Sequence, residues 1–127
     1  MKVVFNLALL LATFVFYSCE GEKENPSNNS RILRYELTGN YSGTIIASYT
    51  TANGGTTNEQ VSSTPWTKEL TYSSNITAAI LAVSGNGGTA GQELTIIVKR
   101  GNRQVSSTKV IANNIGSFTI ATPVVTF

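Results

Sequence analysis

Beyond residue 24 the only acidic side chains are Glu36, Glu59, Glu69 and Glu93, and they set the limits of this chain's chemistry. They fall one to each predicted strand or loop, so no spacing along the backbone pairs two of them for the acid and base of glycoside hydrolysis. The 127-residue sequence contains no histidine and no aspartate. A serine or cysteine nucleophile ordinarily needs an imidazole base, zinc needs thiolate or imidazole ligands, and two-metal phosphoryl transfer needs clustered carboxylates. The expectation is therefore a protein without enzymatic activity, metal or cofactor. Ser106-Ser107-Thr108-Lys109 has the Ser-x-x-Lys spacing of an acyl-transfer nucleophile. That chemistry needs a helix to put both side chains on one face, whereas on a strand residues three apart point to opposite sides. Gly85-Asn86-Gly87-Gly88-Thr89-Ala90 has the glycine spacing of a dinucleotide loop, which works only where a strand runs into a helix. Here another strand is expected to follow.

The single cysteine, Cys19, has a different chemistry open to it. Met1-Lys2 gives a positive start and residues 3–16 an apolar run, the n-region and h-region of a secretory signal. A membrane-spanning helix needs about twenty residues, more than this run supplies. The run ends in Phe16-Tyr17-Ser18-Cys19, and a small residue followed by cysteine at that place resembles the lipobox of bacterial lipoproteins. The resemblance implies cleavage before Cys19, acylation of its thiol and a membrane anchor made of lipid. It places the protein in the bacterial cell envelope, at the outer membrane, on its periplasmic or its outer surface. Residues 20–30, EGEKENPSNNS, lack apolar side chains and are expected to form a flexible tether.

The expected organisation is thus a signal over residues 1–18, the lipidated Cys19 and tether over 19–30, and one domain over 31–127. Charged residues make up 13% of the chain, while Thr, Ser, Asn and Gly are abundant. That is the composition of an extracytoplasmic all-β protein. Eight Lys and Arg against seven Glu remain after residue 18, which leaves no basic footprint for nucleic acid.

Leu33, Tyr35 and Leu37 share one parity with polar residues between them, the mark of a half-buried strand. Similar alternation recurs at residues 44–51 and 92–100, and Gly101-Asn102 is expected to be the two-residue turn of a hairpin. Residues 56–61 are polar and predict an edge strand. Residues 75–84, apolar at both parities, predict an interior strand followed by a loop over 85–91. Val105 and Val110 fall on opposite parities, which predicts a bulge between them. Seven or eight short strands predict an antiparallel, immunoglobulin-like β-sandwich without a disulfide.

Three stretches carry a family resemblance: Tyr35-Glu36-Leu37-Thr38-Gly39, Pro65-Trp66-Thr67-Lys68, and Ile96-Ile97-Val98 with Arg100-Gly101-Asn102-Arg103. Together they resemble the small accessory membrane proteins of the MmpS type. The resemblance implies a non-enzymatic extracytoplasmic β-sandwich and, as partner, an envelope transporter or assembly protein. The anchor differs, because that family uses a transmembrane helix where this chain has Cys19. The alternative is a surface lipoprotein that binds carbohydrate or host molecules. Trp66, Tyr41 and Tyr72 are the aromatic candidates for a binding surface. The lone tryptophan of a small sandwich is more often packed between its sheets, and that is where Trp66 is expected.

Overall fold

The computed structural model describes residues 29–127, so Cys19, the signal and most of the tether lie outside the described residues. The described residues form ten strands: β1 Ile32–Gly39, β2 Thr44–Thr50, β3 Thr56–Val61, β4 Trp66–Thr71, β5 Ala78–Ala79, β6 Leu81–Asn86, β7 Glu93–Arg100, β8 Arg103–Ile111, β9 Phe118–Ala121 and β10 Val125–Thr126. Eight of them build two four-stranded antiparallel sheets, ordered β4-β1-β7-β8 and β3-β2-β6-β9. The two-residue strands β5 and β10 pair with each other.

Alternation at period two is what makes the sandwich. Leu33, Tyr35 and Leu37 of β1 and Leu94, Ile96 and Val98 of β7 point inward from the first sheet, each at most 1% exposed. Ile45, Ala47 and Tyr49 of β2 and Leu81 and Val83 of β6 meet them from the second, at most 4% exposed. Each large aliphatic side chain so buried contributes about 1.5–3 kcal/mol. Where the polar groups of this core occur, they bond across it. The Tyr35 hydroxyl lies 3.2 Å from that of Tyr72, which donates to the Thr50 carbonyl at 2.6 Å and so joins the two sheets. Burial raises the Tyr35 phenol well above its ordinary value, with the Tyr72 hydroxyl adding to the effect.

Several sequence expectations meet their places here. The polar strand β3 is an edge, and Gly101-Asn102 is the turn between β7 and β8, with Gly101 at a φ of 60°. Three expectations change. Residues 75–84 are not one strand: the chain breaks at Ile80, which is 37% exposed, and only the parity of Ala79, Leu81 and Val83 is buried. The outward parity of β6, Ala82 and Ser84, is half-buried on a sheet surface, which is why apolar residues at both parities did not require burial on both faces. Strand β6 then runs on through Gly85 and Asn86, into the stretch expected to be loop. The bulge falls at Val105 itself. Val98 pairs with Ser106 and Lys99 with Gln104, so Val105 is the extra residue.

The layering and size are those of an immunoglobulin-like sandwich, whereas the connectivity is different. In immunoglobulin sheets the first two strands are neighbours. Here β1 and β2 lie in different sheets, and only β2-β3 and β7-β8 are hairpins within one sheet. Truncating Ile96 to Ala, at the centre of β7 with no exposure, should cost about 2–5 kcal/mol. Truncating Ile115, 74% exposed, should stay within about 0.5 kcal/mol, and urea unfolding of both variants measures the contrast.

Candidate functional site

The aromatic residues singled out from the sequence fall in three different settings. Tyr41 is 6% exposed and organises the loops at the far end of the sandwich from Ser30. Its hydroxyl donates to the Gly116 carbonyl at 2.6 Å, and its ring meets Phe118 edge-on at 4.8 Å. Gly85 and Gly88 press against the same rings so closely that an added methyl group would collide with them. Tyr72, 2% exposed, is the cross-sheet hydroxyl already described. Neither tyrosine presents a ring to solvent, so both are corrected from candidate binding residues to packing residues. Both lie outside the strands, Tyr41 between β1 and β2 and Tyr72 just after β4, so their burial is decided by the loops that cover them.

Trp66 opens β4 and is half-buried against the core, nearer to the packing expectation than to an exposed platform. It sits at one of the two flanks where the edges of a sandwich stay open. There β3 and β4, edges of different sheets, turn Glu59 and Lys68 inward. The Tyr49 hydroxyl donates to Glu59 Oε2 at 2.7 Å, and Lys68 Nζ lies 3.4 Å from the same oxygen. Lys68 Nζ also lies 5.8 Å from the centre of the Tyr49 ring, within cation–π range. The Tyr49 hydrogen bond holds the Glu59 carboxyl below its usual 4.5, helped by Lys68 and by the Trp66 indole N–H turned to the same group. Lys68 is raised in turn by Tyr49 and Glu59, and Tyr49 is raised by burial and by Glu59. Inward charges on edge strands discourage edge-to-edge pairing with other chains, and this cluster closes the flank as well.

The opposite flank, between β8 and the segment from β9 to β10, is built differently. The bulge at Val105 turns Ser106 inward, and among the described residues Ser106 Oγ is the buried side-chain polar atom that no other group reaches. Ser106 and Lys109 also point to opposite faces, Lys109 pairing outward with Glu93 at 2.8 Å, which removes the Ser-x-x-Lys reading. A groove of about 290 Å³ runs over this flank between Arg100, Arg103, Val105 and the stretch from Pro123 to Thr126.

The end of the domain where the described chain begins is cationic. The Arg31 guanidinium donates to the Tyr72, Ser73 and Ile76 carbonyls and lies 4.7 Å from the centre of the Phe127 ring. Arg100 donates to the Ser30 carbonyl at 2.7 Å and the Thr126 carbonyl at 3.0 Å, with its guanidinium 5.0 Å from the same ring. Carbonyl dipoles orient these two cations without cancelling their charge. In contrast, Arg34, Lys99 and Lys109 on the outer face of the first sheet pair with Glu36 and Glu93.

The outer face of the second sheet carries no charge at all. Its cross-strand rows read Asn58, Ser48, Ala82, Ala121 and Gln60, Ile46, Ser84, Thr119. A shallow concavity of about 580 Å³ opens on it, lined by Thr44, Ile46, Ser84, Asn86 and Thr119 among others. The glycine-rich stretch read against phosphate binding contributes a strand end and a turn here, with β7 following. Among the described residues no three His, Cys, Asp or Glu side chains gather into a metal-binding group. No family model matches the chain, and neither a curated protein nor a solved structure matches it.

Sequence reasoning found no partner for Glu59 and missed its pairing with Lys68, although Glu59 shares the inward parity of Val61. It also missed the cationic end, whose arginines are far apart in sequence. The lowered Glu59 pKa has a definite sign. Its stabilisation is present above pH 4.5 and is lost as pH falls through the lower folded value. Glu59→Gln should therefore cost about 0.5–1 kcal/mol near neutral pH, solvent screening limiting a partly exposed pair, and the difference should shrink in acid. Paired urea melts of parent and variant at neutral and acid pH measure it.

Proposed function

We propose that this chain is a non-enzymatic, lipid-anchored protein of the bacterial cell envelope that works by binding, as an accessory subunit of an envelope transporter or assembly. The anchor half of this reading rests on Ser18-Cys19 at the end of the apolar run. The observation that carries the binding half is the way the domain distributes its charge. Glu36, Glu59 and Glu93 are each held by a cationic side chain, and Glu69 stands exposed on the outer face of β4. None of the four has the enclosed, apolar setting that tunes a carboxyl to transfer protons near neutral pH. What the domain offers outward is sheet and loop surface.

The uncharged face of the second sheet favours a second reading, a surface lipoprotein that binds carbohydrate. Hydroxyl and amide groups spaced by the strand pleat suit the neutral hydroxyls of a glycan, and a face without charge gives no preference to an ionic ligand. Co-purification from membranes with the lipidated protein as bait separates the two. Recovery of a transporter or assembly component supports the accessory reading, whereas retention on glycans that Ser84→Arg abolishes supports the second.

Replacing Cys19 by Ala should leave an uncut precursor or a soluble protein, because the proposed anchor is the lipid on that thiol. Membrane fractionation with intact-mass measurement checks it, and a processed, acylated Cys19→Ala protein would overturn the anchor. Glu→Gln at positions 36, 59, 69 and 93, made singly, should leave partner recovery within a few-fold of the parent, as neutralising a rim charge does. A loss of turnover of about a hundredfold on any substrate that the parent consumes would establish catalysis instead.

A further inference from the structure

We infer that β8 is a dimerisation edge, pairing antiparallel with the β8 of a second copy of this chain about a twofold axis at Thr108, so that two four-stranded sheets join into one. The inference needs no lipid at Cys19 and is separate from the envelope partner proposed above.

Three of the four sheet edges are guarded, and β8 is not. β3 and β4 turn Glu59 and Lys68 into their flank, and β9 has four residues with Pro123 following two positions later. Short strands, inward charges and proline are devices that stop an edge from recruiting another strand. β8 has nine residues, the longest strand of the described chain, with no proline and, from Val105 to Ile111, no inward charge. Among the described residues the backbone groups of this stretch bond to β7 alone, which leaves every second residue with its N–H and C=O turned away from the sheet.

The side chains of this edge are complementary to themselves. After the bulge the alternation is unbroken, with Val105, Ser107, Lys109 and Ile111 on the outer face and Ser106, Thr108 and Val110 on the inner. Opposed residues of paired strands share a face, so a symmetric antiparallel pairing matches odd positions with odd and even with even. The axis must then pass through a residue. Centred on Thr108, it sets Val105 against Ile111 of the second copy, Ser106 against Val110 and Ser107 against Lys109. Val105 and Ile111 are 42% and 58% exposed, and this register covers both at each end of the seam. An axis at Ser107 would set Val105 against Lys109 instead.

Charge agrees with the same arrangement. Glu93 holds Lys109 at 2.8 Å on its own sheet, so two copies of this edge meet without uncompensated like charges. A parallel order would set Lys109 directly beside its own copy, where like charges destabilise a sheet.

The test uses the full chain as the cell delivers it, purified in mild detergent, with its protein mass followed by light scattering from micromolar to millimolar concentration. The parent should be a dimer that dissociates on dilution. Val105→Lys and Ile111→Glu should each weaken it by about tenfold or more, because each substitution enters a symmetric seam twice. Combined in one chain, the two should restore association to within a few-fold of the parent, since the register sets the new ammonium group against the new carboxylate of the other copy. Within one strand these positions lie six residues apart, about 20 Å, too far to pair internally. Thermal melts of the three variants keep a folding defect from passing as lost pairing. A parent that stays monomeric throughout, a dimer insensitive to both single substitutions, or a double variant as weak as the singles would overturn the inference. So would amide hydrogen exchange in which another membrane protein protects β8 while this chain remains monomeric.

Discussion

Two sheets can share one core only if the flanks between their edges are closed, and this constraint shapes most of the molecule outside the central strands. β1, β7, β2 and β6 bury their inward residues almost completely because each has a neighbour on both sides. The edge strands have one neighbour, so most of their inward side chains, Val61 and Phe118 excepted, lie half in water and cannot be uniformly apolar without exposing a sticky margin. The two flanks meet the constraint by different means. At β3 and β4 a carboxylate, an ammonium group and a phenol satisfy one another; at β8 a bulge turns a valine out and a serine in, and a groove is left above it.

The division of charge follows from the same architecture. Alternation gives each sheet an outer face whose residues are free of packing demands, and in this chain those two faces have separated chemically. The first sheet carries cations and glutamates that pair within and across strands, whereas the second has hydroxyl, amide and apolar groups only. A protein with one ionic face, one neutral face and one cationic end is polarised in three directions. That polarity, rather than any enclosed cluster of reactive groups, is what supports reading the domain as a binding module.

The connectivity keeps chain entry, the β7-β8 turn and β10 at one end. Phe127 is the common contact there, lying against Tyr72 at 5.2 Å and beneath both Arg31 and Arg100. The cations thus serve the fold through their carbonyl and aromatic contacts while retaining their charge for the surroundings. The far end is organised instead by Tyr41, whose hydroxyl and ring hold glycine-rich loops that have little side chain of their own to pack.

Read by itself, the sequence determined the strand content, the hairpin at Gly101-Asn102, the polar edge strand at 56–61 and the inward parity of β1, β2 and β7. Each of these is a local property, since period-two alternation and turn chemistry are set by residues a few positions apart. It also determined which chemistry was open to the chain, because a missing residue type is absent in any fold. Only the tertiary structure decided which parity of residues 78–84 is buried, that β1 and β2 belong to different sheets, and that Tyr41 and Tyr72 are covered. It alone brought Glu59 to Lys68, and Arg31 to Arg100 around Phe127. Those outcomes depend on which strands become neighbours, and pairing over tens of residues is set by the summed packing of both sheets rather than by any local pattern.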